Sequence, residues 1–138
     1  MEARDQTSLN RIHDAWKSFN EVEQGALLVE LSASLRRRLA HLEVDQDLAA
    51  AYRAFAQTAR VTGNALIYKA GIPFVPDPPF RWSRVSQDAV DRRVPEIREW
   101  ASASVVAQDQ PLSVRHTALD LAEAGRELER QLERTRTR

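Results

Sequence analysis

Gly71 to Trp82 reads GIPFVPDPPFRW and carries four of the chain's six prolines, Pro73, Pro76, Pro78 and Pro79. Proline fixes φ near −65° and has no backbone N–H, so this stretch cannot be helix and is a poor central strand. It also holds Ile72, Phe74, Val75, Phe80 and Trp82, more apolar surface than a solvated linker carries. The reading that satisfies both facts is an extended strap over residues 71–82, lying across the helices it joins. Phe74, Phe80 and Trp82 are expected to pack inward and lock two helical halves together. They are also the aromatic residues that would form a binding surface if they stayed exposed.

Helical periodicity runs outward from this stretch in both directions. Upstream, Thr7 or Ser8 is a plausible cap for a first helix through Leu9, Ile12, Trp16 and Phe19. After Asn20 a leucine stripe follows, Leu27, Leu28, Leu31, Leu35, Leu39 and Leu42, with Arg36, Arg37 and Arg38 on the solvated side. Asp45 or Asp47 caps a third helix through Tyr52, Phe55 and Ala59, which Gly63 and Asn64 are expected to weaken or break before Gly71 stops it. Downstream, Ser83 or Ser86 starts a helix through Val90 and Val94, where Pro95 either kinks it or opens a new one. Pro111 precedes a last helix whose Val114, Ala118, Leu121, Gly125, Leu128 and Leu132 alternate steps of four and three. With no alternating strand pattern, the expectation is an all-α bundle of five or six helices in one domain, residues 1–138, with a frayed tail at 135–138.

Composition limits the chemistry. The 138 residues carry twenty basic and twenty acidic side chains, nine of each up to Ala70 and eleven of each beyond, so neither half is a polyanion binder by net charge. Arginine outnumbers lysine eighteen to two, a bias that weakens arguments from any one arginine. There is no cysteine, which excludes disulfides, thiolate metal sites and a cysteine nucleophile. The four glycines are scattered, so no phosphate-binding glycine loop exists, and a Gly-x-Ser-x-Gly elbow is also missing. No nucleotide or other cofactor is expected. No apolar run approaches the roughly 18 residues of a membrane span, and the polar start of the chain is unlike a secretory signal, so a cytoplasmic protein with no membrane contact is expected.

The histidines His13, His41 and His116 lack the Glu-x-x-His and His-Glu-x-x-His spacings of helical metal sites. His41 with Glu43, Asp45 and Asp47 forms a polar cluster at a helix junction, better explained by capping than by cation binding, and no metal site is expected.

Arg36 and His41 have the Arg-x4-His spacing, and a helix rich in alanine and aromatics ends in Lys-Ala-Gly-Ile-Pro, Lys69 to Pro73, before a loop, a helix and the alanine-rich helix Leu119 to Leu132. In this spacing and order the chain, from about Ala49 to Glu133, resembles the HEPN superfamily of small all-helical domains. The resemblance implies a homodimer. In the nucleases of that superfamily it also implies metal-independent RNA cleavage, with His41 as general base and Arg36 steadying the phosphate charge. Five helical steps place the two residues about 140° apart, so they would meet only across a dimer interface. Two functions are therefore carried forward. One is a non-catalytic helical interaction module, dimeric and partnered by protein; the other is an endoribonuclease acting on RNA through Arg36 and His41.

Overall fold

The computed structural model describes residues 11–137. Among these residues there are four α-helices, α1 (Glu21–Leu39), α2 (Gln46–Lys69), α3 (Gln87–Val106) and α4 (Leu112–Arg136), and no strand. Two single 3-10 turns, Trp16–Ser18 and Trp82–Arg84, precede α1 and α3. No described helix is long and apolar enough to cross a membrane.

Three of the four helices start where a side chain satisfies a free N–H group of the first turn. Asn20 and Glu23 form a reciprocal capping box on α1, Asp45 accepts from Leu48 N at the start of α2, and Ser86 accepts from Ala89 N at the start of α3. Pro111, which has no N–H to lose, stands at the N-cap of α4. At the far end of α2 the chain turns through Gly71, at φ +75°, a conformation that costs glycine nothing.

The four helices replace the five or six expected, for three physical reasons. The first expected helix begins outside the described residues, and from Ile12 onward it does not form: Ala15 is extended and the Trp16 amide donates to Glu96 of α3 at 2.9 Å. Gly63 does not interrupt α2, because it is the point where α2 meets α1. A Cβ on Gly63 would lie 2.6 Å from the carbonyl oxygen of Gly25, so the missing side chains permit the crossing, and burial offsets the roughly 1 kcal/mol of propensity lost at a helical glycine. Pro95 sits within α3 without splitting it, giving up one backbone hydrogen bond at a half-exposed position. α4 is helical as far as Arg136, with Arg134 on Asp45 at 2.8 Å and the Thr135 hydroxyl on the Leu132 carbonyl. Arg138 lies outside the described residues.

α2 is the central helix, packed on α1 along one side and on α4 along the other, and α4 packs in turn on α3. The side between α1 and α3 is closed by the segments carrying the two 3-10 turns. Trp16 stacks edge-on against Trp100 of α3 at 5.6 Å, and its carbonyl accepts from Gln24 of α1. Phe19 meets Phe80 at 5.9 Å and Phe80 meets Trp82 at 4.9 Å, so with Trp16 and Trp100 five aromatic rings fill the space between α1 and α3. These rings join the leucines of α1, Phe55 of α2, Ile97 of α3 and Leu121 and Leu128 of α4 in one core.

Candidate functional site

The aromatic cluster borders a cavity of the molecule, and Trp82 is its anchor. The indole N–H donates to the Leu27 carbonyl at 2.8 Å, and the backbone N–H donates to the Glu30 carboxylate at 2.9 Å. The Trp82 carbonyl accepts from the guanidinium of Arg38, which also donates to the Val85 carbonyl, to Ser34 and to Gln87 at 3.2 Å. Three polar groups of one residue are thus satisfied by α1 while its ring is 1% exposed. Glu30 is the costly partner: burial pushes its carboxyl above the ordinary value, and the Trp82 N–H only partly offsets this.

A cavity of about 460 Å³ opens beside this anchor, with Phe80 and Trp82 in its floor. Val85 and Ala89 extend the apolar lining onto the start of α3, and Ile12 closes it from the N-terminal segment. Around this floor stand Arg84, Arg92, Arg93 and His13, and among the described residues none of the lining is acidic. Arg93 is largely occupied, donating to the Ile12 and Asp14 carbonyls with Glu96 at 3.6 Å. Arg92 pairs with Asp88 at 2.7 Å. The side chains of Arg84 and His13 have no hydrogen-bond or ion-pair partner among the described residues. Sequence reasoning weighed His13 only as a metal ligand and missed the three arginines. A detectable signal existed for Arg93, which lies one step from the apolar stripe Val90, Val94, Ile97 and so had to reach a partner or the solvent at the edge of the core.

The residues singled out from sequence are dispersed. Phe80 and Trp82 pack inward as expected, but Phe74 does not: it is 67% exposed, and the adjoining Val75 is 46% exposed. The proline-rich stretch is therefore not a strap bound along its whole length. A cleft of about 280 Å³ separates Val75, Pro76 and Pro78 from Ala33 and Arg37 of α1, whereas Trp82 is tied to α1 by hydrogen bonds. The physical reason is local: Phe80 finds Phe19 and Trp82, whereas Phe74 follows directly on the Gly71 turn with no ring to meet.

Arg36 and His41 do not come together within the chain. Arg36 donates to Gln57 of α2 at 2.8 Å, whereas His41, exposed just past the end of α1, shares a shallow depression with Arg37, Arg38, Leu42 and Gln87. Asp45 of the neighbouring polar cluster caps α2 and receives Arg134. Among the described residues no three His, Asp, Glu or Cys side chains are placed to hold a metal ion.

Next to this depression lies a polar group that the sequence pattern did not mark. The Tyr52 hydroxyl donates to Asp91 at 2.6 Å, and Gln87 donates to Asp91 at 3.0 Å while accepting from Arg38. Burial raises both the Tyr52 hydroxyl and the Asp91 carboxyl above their ordinary values. Each donor in this chain has an acceptor and the chain joins α1, α2 and α3, so its evident work is to fix the helices at this end of the bundle. No family model, curated protein or solved structure matches the chain.

Proposed function

We propose that this chain is a non-catalytic, cytoplasmic helical interaction module that self-associates. The observation that carries the reading is the pair of aromatic side chains around the Gly71 turn: Tyr68 is 85% exposed and Phe74 67%, with Val75 beside them. Exposed large apolar side chains close in the chain at one turn are what a protein interface uses as anchors. A two-fold dimer brings the same patch of both copies together, so a second copy of the chain is the simplest partner for an apolar patch. Arg36 and Arg38 are meanwhile engaged in contacts between elements, with Gln57 and with the Trp82 carbonyl.

Hydrogen–deuterium exchange at low and high protein concentration tests the reading. The amides from Leu66 to Val75 are expected to gain protection as concentration rises; equal exchange at both concentrations rejects self-association through this end. The second reading, RNA cleavage of HEPN type, has one observation in its favour: His41 is exposed beside Arg37 and Arg38. It requires Arg36 to come from the other copy, and it predicts cleavage of single-stranded RNA in chelator that His41→Ala abolishes.

A further inference from the structure

The cavity over Phe80 and Trp82 has a chemistry that self-association does not use. Its floor is preformed, since both rings are almost fully buried and locked by hydrogen bonds or ring contacts, so a ligand would not have to order it. Its volume, about 460 Å³, falls within the range of small-molecule sites, about 300–1,000 Å³. Among the described residues its lining joins an apolar surface to charges of one sign. The carboxylates nearest those charges are engaged elsewhere or accounted for: Asp88 pairs with Arg92, Glu96 with Arg93 and the Trp16 amide, and Asp14 with Arg11 at 3.5 Å. The remaining cationic charge is that of Arg84, with His13 offering a further ring N–H.

We propose that this cavity binds a small organic anion with one acidic group on an apolar body. The apolar body lies over Val85, Ala89 and the edges of Phe80 and Trp82, and the acid accepts from Arg84 and His13. One uncompensated arginine sets the ligand charge at a single unit, since a multiply charged phosphate ester or a nucleic acid strand would find too few cations here. This site is independent of the Tyr68–Phe74 end, so either proposal can fail without the other.

The test uses the full chain with 2-naphthoate and its neutral counterpart 2-naphthamide as probes, read by backbone amide NMR shifts. A Kd of about 1 mM or tighter is expected for a ligand of this size, with the largest shifts at Val85 to Ala89. The amide is expected to bind about tenfold more weakly, because it loses the charge-assisted contact. Arg84→Gln, a change at an exposed position, should bring naphthoate down to the affinity of the amide and leave the amide unchanged. Ala89→Glu, which adds a carboxylate to the lining, should remove naphthoate binding. Equal affinities for the two probes overturn the proposal, as do shifts centred elsewhere or no shift at ten times the expected Kd.

Discussion

Replacing Gly63 with alanine should destabilise the fold even though it improves the helix. In α2 the change gains about 1 kcal/mol of helix propensity. Against this, the new Cβ would stand 2.6 Å from the Gly25 carbonyl oxygen, 2.9 Å from Val29 Cγ2 and 3.1 Å from Leu28 Cβ. Ordinary contact begins at 3.4 Å, so α1 and α2 must separate by about 0.8 Å at their crossing. The obstacle is a helical carbonyl that cannot rotate aside. Separation therefore loosens the packing of Leu28 and Leu66 on either side, both fully buried. Overpacking of this kind in a well-filled interior costs about 1–3 kcal/mol, and a clash with backbone belongs near or above the upper end, leaving a net loss of about 2 kcal/mol. Thermal unfolding followed by far-UV circular dichroism should show Tm lowered by about 5–10 °C for a domain of this size. Gly25→Ala, whose Cβ meets the same crossing at 3.0 Å, should cost less. A Gly63→Ala protein as stable as the parent, or more so, would mean that propensity alone acts at this position and that the helices do not cross as described.

Three other changes probe the polar interior. Thr62 is fully buried and its hydroxyl has no partner, so Thr62→Val should raise stability by about 1 kcal/mol in urea unfolding; a loss would show that the hydroxyl is satisfied after all. Asp91→Ala strips the acceptor from Tyr52 and Gln87 and should cost about 1–3 kcal/mol, whereas Asp91→Asn keeps an oxygen in place and should cost clearly less. The third concerns pH. Because Glu30 is raised above 4.5 in the folded chain, the folded state holds its proton more tightly than the unfolded state, and stability declines as pH rises from 4.5 through the raised value. Glu30→Gln retains an acceptor for the Trp82 amide and removes this charge, so stability against pH should be flatter above 4.5 and the variant's relative stability should grow toward neutral pH. Parallel curves for the two proteins would contradict the buried placement of Glu30.

What could be read from the sequence was local. The stripe Leu27, Leu28, Leu31 and Leu35 is buried almost completely, and Asp45 and Ser86 cap where acceptors were expected. At Gly63 and Pro95 the sequence left a break or a continuous helix open, because propensity describes a residue without its neighbours, and the helices packed on α2 and α3 decide for continuity. The site itself was half legible. Phe80 and Trp82 drew attention as apolar residues outside any helical stripe, but nothing nearby in the chain distinguishes them from Phe74. Their difference comes from Phe19, Leu27 and Glu30, some fifty to sixty residues away. The same distance hid the basic wall of the cavity, since Arg93 reaches Ile12 and Asp14 across about eighty residues and Arg84 matters through what it lacks.

The measurement that bears most directly on the proposed function is the molar mass in solution by light scattering, for the parent chain and for Phe74→Asp, at about 100 μM, where an association with micromolar Kd is nearly complete. The expected result is twice the 15.7 kDa chain mass for the parent and a single chain mass for the variant. A parent protein that stays at one chain mass, or a variant that remains a dimer, would contradict self-association through the exposed aromatic end.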